Sequence, residues 1–174
     1  YCTNEVVIQT SSIGVFTAPG NEVILIQMQG APRDISDDQN HGRHLNDLAT
    51  AGYYEIHEIS QALTTSNPGE LRLRFIHNIE AVYDLSQSVQ VVTFPKYTSA
   101  NVSNAVTGQP WNGTTGGVVA FQAEDSISIA ATISIAEAGF QGGLAQPDFD
   151  CFGIFGFPGF DGPSLDNGGE KGEG

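Results

Sequence analysis

The feature that most constrains this chain is the spacing of its apolar residues, which alternates with period two. Leu71, Leu73 and Phe75 are separated by Arg72 and Arg74. Successive side chains on an extended backbone point to opposite faces, so this pattern describes a half-buried strand and not a helix. Comparable stretches cover 5–10, 53–59, 88–94, 101–107, 117–122 and 126–135. The stretch 21–28 follows a Pro19-Gly20 turn and is apolar on both faces. Only 43–49 has helix-like spacing, with Leu45 and Leu48 three apart. So short a helix is marginal by itself. The expected class is all-β. The small, β-branched strands predict a stacked arrangement, a parallel β-helix or solenoid-like start with the N-terminal strands as its cap. A β-sandwich is the alternative. No internal repeat of fixed period is visible.

Charge removes several partners. Six Lys and Arg stand against 20 Asp and Glu, a net charge of -14. Binding a phosphate backbone needs clustered cations, so no nucleic-acid partner is expected. No apolar run reaches the roughly 20 residues of a membrane-spanning helix, so no membrane span is expected. Charged residues are 15% of the chain. Weakly charged, polar surfaces of this kind accompany secreted β proteins.

Composition changes at Gly139, dividing the chain into a β-rich body, 1–138, and a Gly-, Pro- and Phe-rich segment, 139–174. That segment holds over half of the 21 glycines, with Phe149, Phe152, Phe155, Phe157 and Phe160 interleaved. Its Phe spacing fits neither period two nor 3.6, and it is too aromatic for a plain linker. It is expected to wrap the β body irregularly or to dock a partner, ending in an acidic tail from Asp161.

Several strings in order carry a family resemblance. They are Val23-Ile24-Leu25-Ile26-Gln27-Met28-Gln29-Gly30-Ala31, Ala51-Gly52-Tyr53-Tyr54-Glu55, and Val89-Gln90-Val91-Val92-Thr93-Phe94-Pro95-Lys96-Tyr97. Next come Pro110-Trp111-Asn112-Gly113-Thr114-Thr115-Gly116-Gly117-Val118-Val119-Ala120-Phe121, Ala138-Gly139-Phe140-Gln141-Gly142-Gly143 and Glu170-Lys171-Gly172-Glu173-Gly174. Together they resemble the N-terminal region of large, gliding-motility-associated surface proteins of Bacteroidota exported by the type IX secretion system. The resemblance implies a secreted, cell-surface location and an adhesin-like role. It implies the secretion machinery and other outer-membrane or surface components as partners, and continuation into a longer polypeptide. Gln141 stands where the family often has Arg, so a role for that Arg does not carry over.

Candidate sites are few. There is no nucleophile elbow, no phosphate-binding loop and no His-Glu-x-x-His motif. His57 and Glu58 are neighbours on a strand and point to opposite faces, which argues against joint acid–base work. His41 and His44 have no third ligand nearby in sequence. Asp34, Asp37 and Asp38 offer the hard oxygen ligands of Ca²⁺, although their spacing is not that of an EF-hand and a solvated acidic loop is the plainer reading. No other cofactor is expected. Trp111, Tyr53, Tyr54 and Tyr97 are candidates for stacking on sugar rings, a core role for Trp111 being the simpler alternative. Asp125-Ser126-Ile127 resembles a Bacteroidota O-glycosylation sequence at Ser126. Asn101 and Asn112 open sequences of the N-glycosylation type, a pattern short enough to arise by chance.

The expected function is therefore non-enzymatic: adhesion or gliding, or the structural cap of a long surface fibre. Two rivals are the first portion of a carbohydrate-active β-helix enzyme, which needs two carboxylates about 5–10 Å apart in a groove, and a carbohydrate-binding module, which needs coplanar exposed aromatics and takes polysaccharide. Cys2 and Cys151 either form one disulfide or are two separate thiols. If the protein is exported they are expected to pair. Alkylation of the unreduced, denatured protein then adds no mass, and the addition of two groups refutes the pairing.

Overall fold

The computed structural model describes residues 3–9, 17–32 and 49–140. Among them the chain is all β, with no α-helix. Nine strands are formed: β1 (Glu5–Gln9), β2 (Glu22–Gln27), β3 (Tyr54–Thr64), β4 (Glu70–Phe75), β5 (Val89–Thr93), β6 (Lys96–Val102), β7 (Val106–Thr107), β8 (Gln122–Ile129) and β9 (Ile133–Ser134). The helix-like spacing at 43–49 lies, apart from Ala49, outside the described residues.

The first five strands form one antiparallel sheet in the order β1-β4-β3-β2-β5. Its register follows the apolar alternation. Val6 lies opposite Leu73 and Ile8 opposite Leu71, while Val7 faces Arg72. Val23, Ile59, Leu71, Leu73 and Phe75 make the core on one face, with Val6, Ile8, Ala62, Ile79 and Val91 packed against them. A one-residue slip would turn this apolar set to the other face, which is why the pairing is well specified. On the opposite face Arg74 donates to Glu5 at 2.7 Å. Both side chains are substantially exposed, so the pair contributes little beyond orientation.

Strand β3 runs past Ile59, where its alternation fails. The register shifts between Ile59 and Gln61, leaving Ser60 as an extra residue. Its hydroxyl donates to the Arg74 carbonyl at 3.0 Å. The bulge returns Ala62 to the core side, opposite Leu73. A strict period-two reading cannot see past such an insertion.

Beyond Phe94-Pro95 the architecture changes. Strands β6 and β8 pair in parallel, and so do β7 and β9. Ser99 and Ser126 are partners 27 residues apart. Val102 opposite Ile129, Val106 opposite Ile133 and Thr107 opposite Ser134 keep that same offset. One extra residue in β8, between the partners of Tyr97 and Ser99, precedes this constant register.

Three expectations are corrected here. The strand expected at 101–107 begins at Lys96 and is interrupted after Val102. The stretch 117–121 is not a strand, because no described neighbour completes a ladder with it. The stretch 126–135 is two strands, broken where Ala130 and Ala131 both donate to the Val102 carbonyl, at 2.9 and 3.0 Å. The offset of 27 is a repeat of backbone pairing that leaves only scattered apolar matches in the sequence.

Leu73→Ala removes a side chain with 0% exposure from the centre of the core. It is expected to cost about 2–5 kcal/mol in denaturant unfolding. Ile56→Ala, at 47% exposure, is expected to cost well under half as much.

Candidate functional site

Strand pairing leaves the ends of the sheet with polar groups to satisfy, and three side chains do so. Gln27, at 0% exposure, donates to the carbonyls of Gln29 at 2.8 Å and Asp84 at 3.2 Å, and accepts the Asp84 N–H at 2.8 Å. Gln90 works on the opposite face. Its amide donates to the Gly116 carbonyl at 3.1 Å and accepts the Gly116 N–H at 3.0 Å. Gly116 has a φ of 126°, and a Cβ there would lie 2.5 Å from the Pro110 carbonyl oxygen, so only glycine fits this approach.

Glu55 is the third. Its carboxylate accepts the N–H groups of Glu80, at 3.2 Å, and of Ala81, and meets His57 Nε2 at 2.7 Å. The two residues share a face of β3 because they are two apart. His57 is buried and stacks on Phe75 with ring centroids 4.6 Å apart. The expected separation of His57 from Glu58 holds, since His57 is buried and Glu58 exposed. The partner that matters, Glu55, is identifiable only once the loop at 79–84 has folded back over the sheet. Burial pushes the Glu55 carboxyl upwards. The bonds from Ala81 and Glu80, and then His57, outweigh it, so the group lies below its ordinary range. A carboxylate held in this way is a poor general acid. Burial, then the nearby Glu55 charge, pushes the Tyr83 hydroxyl up to about 12. It therefore stays neutral and donates to the Leu25 carbonyl at 3.2 Å.

The aromatic candidates separate. Trp111 is 4% exposed and meets Phe140 edge-on at 4.8 Å. It offers no open ring face, and its expected role in sugar stacking is corrected to a core role under the glycine-rich turn. Tyr53 and Tyr54 are exposed beside a shallow hollow lined by Glu55, Glu80 and Ala81. As sequence neighbours they point apart, so they do not form one coplanar platform. Tyr97 is 46% exposed, on β6.

A second cleft, of about 500 Å³, lies along β6 and the turn after it and is also lined by Val119, Ala120 and Phe121. Consecutive residues from Ser99 to Val106 line it, and none of its lining residues is charged. Ser126 is exposed on β8, with its hydroxyl 3.3 Å from that of Ser99. Asn112 accepts the N–H groups of Thr114 and Thr115 at 3.0 and 2.9 Å, which shapes the turn.

Cys2, Cys151, Asp34, Asp37, Asp38, His41, His44 and the five Phe from Phe149 to Phe160 lie outside the described residues. Among the described residues no group of three or more His, Cys, Asp or Glu is placed to hold a metal. No described helix is long and apolar enough to cross a membrane. The sequence matches no protein-family model and no curated protein.

Glu55 ties loop to sheet through a carboxylate whose folded pKa is depressed below its ordinary 4.5. Such a group contributes stability that is complete above the ordinary value and lost as pH falls through the folded one. Glu55→Gln is expected to cost about 1–3 kcal/mol at neutral pH, because two N–H donors lose a charged acceptor. The gap between the two proteins should narrow in thermal melts between pH 5 and pH 3. A gap independent of pH would contradict the role of the charge.

Proposed function

We propose that this chain is a non-enzymatic structural module: an antiparallel sheet that caps the start of a parallel, solenoid-like stack, at the leading end of a secreted surface protein. The observation that carries the reading is the shared 27-residue offset of the two parallel pairs, β6 with β8 and β7 with β9. Two strand-turn-strand layers in one register are what successive rungs of a solenoid give. A rung needs a cover on its first side, because a bare strand edge invites pairing with other chains. The five-stranded sheet lies on the N-terminal side of the first layer in sequence, and β5 leads into β6 through only Phe94 and Pro95.

The far side of the second layer supports continuation. Ile127, Ile129, Ile133 and Ile135 are 47%, 62%, 36% and 52% exposed, one on every second position apart from the turn. Contiguous apolar rows of this kind mark surfaces that another element covers. A further rung would stack apolar on apolar, as Ile129 does on Val102. The adhesin-like role, type IX export and the surface partners rest on the resemblance of the quoted strings, and they suit a module of this build. The state of Glu55 favours this reading over a glycosidase, since its carboxylate is occupied by backbone donors.

Paired cysteines test the layering. In a background with Cys2 and Cys151 changed to Ser, Ser99→Cys with Ser126→Cys is expected to close a disulfide under mild oxidation, because partners on adjacent strands stand about 4.8 Å apart. Ser99→Cys with Ser134→Cys should not close. Equal cross-linking of both pairs would end the rung reading. Cleavage of a polysaccharide by the intact chain, abolished by Glu55→Gln, would end the non-enzymatic one.

A further inference from the structure

The pairing between the two parallel layers continues past β9 and gains one residue. The slanted bonds of a parallel ladder run from an N–H to the carbonyl just before its partner. Val106 has Ile133 as its partner, and its N–H donates to the Thr132 carbonyl at 2.9 Å. The Trp111 N–H donates to the Ala138 carbonyl at 3.0 Å, which puts Gly139 in the partner position, 28 residues on. The extra residue enters at the turn where Ala138 donates back to the Ile135 carbonyl at 3.1 Å and Glu137 has a φ of 61°. Carried through a connection as long as that from Asn112 to Ser126, this offset sets Ile154, Phe155, Gly156 and Phe157 opposite Ser126, Ile127, Ser128 and Ile129.

Three features of the sequence agree with that alignment. Phe155 and Phe157 fall on Ile127 and Ile129, which are 47% and 62% exposed. Pro158-Gly159 falls opposite Ala130-Ala131, just where β8 ends, and proline suits a turn but not a strand interior. No charge lies between Asp150 and Asp161, as none lies between Asp125 and Glu137, so no like charges meet across the pair.

We propose that the open edge of β8 is a docking site for the chain's own residues 154–157, which pair with 126–129 in parallel and lay Phe155 and Phe157 beside Ile127 and Ile129. The inference rests on the layered reading given above and deepens it, by naming what covers the second layer. An occupant from the same chain is favoured over a second copy by its tether. Phe140 is already held against Trp111, with ring centroids 4.8 Å apart, and the 13 residues 141–153 join it to Ile154. So short a link makes docking intramolecular, at a high effective concentration. Covering this edge also removes an apolar strand edge that other chains could pair with.

The test follows cleavage of the intact chain by chymotrypsin between Phe155 and Gly156. Ile129→Asp puts a charge where Phe157 would lie and is expected to speed that cleavage roughly tenfold, because proteolysis tracks the population of the open form. Val7→Asp, at an exposed position on β1, should leave the rate unchanged. Ile129→Ser serves if the Asp variant does not fold. A second readout is a cross-link: with Cys2 and Cys151 changed to Ser, Ser128→Cys with Gly156→Cys should close under mild oxidation, and Ser128→Cys with Phe152→Cys should not. Equally fast cleavage with and without Ile129→Asp, equal closure of both pairs, or protection of Phe155 that is lost on dilution would each overturn the proposal, the last in favour of a second copy. If the Ser99→Cys and Ser126→Cys pair still closes in that event, the layers stand and only this occupant is wrong. If that pair fails as well, the layered reading falls with it.

Discussion

Buried side-chain amides hold this molecule together where strands cannot. A sheet satisfies its own backbone along the ladder, but each loop folded against it brings N–H and C=O groups with no ladder to join, and leaving them unpaired would cost more than the packing returns. Gln27 solves this on one face by pairing with both backbone groups of Asp84. Gln90 solves it on the other by pairing with both of Gly116. Each amide behaves as a piece of backbone placed at the end of a side chain. No buried side-chain polar atom among the described residues is left without a partner.

The rest of the architecture hangs from these contacts. The loop held by Gln27 and Glu55 brings Ile79 onto the core and places Tyr83 over Leu25. The turn held by Gln90 carries Trp111, whose N–H donates to the Ala138 carbonyl at 3.0 Å. That contact ties the end of the second parallel layer to the turn that closes the first. The antiparallel sheet and the parallel strands are thus connected through Gln90 and Gly116 as well as through the chain itself. Glu22 and Gln122 join them again by a side-chain hydrogen bond.

The two halves also differ in how they bury apolar surface. The antiparallel sheet has a true core, with five residues at or below 1% exposure. In the parallel layers only Val102 among the strand residues is buried, and the second layer leaves its isoleucines open.

The sequence by itself determined the all-β class and where most strands of the antiparallel sheet lie, though not their antiparallel pairing. Alternation such as that of Leu71, Leu73 and Phe75 is a local property, set by the two-residue repeat of an extended backbone. The opposed directions of His57 and Glu58 follow from the same repeat. What only the tertiary structure decided are matters of partnership across long separations. Ser60 becomes a bulge because β4 lies beside it, Glu55 becomes a loop clamp because residues 80 and 81 return to it, and Trp111 becomes core because Ala138 and Phe140 meet it. The 27-residue offset belongs here as well. It is written in hydrogen bonds between parallel strands, which constrain backbone spacing and leave side chains free to differ, so almost no trace of it survives in the residues themselves.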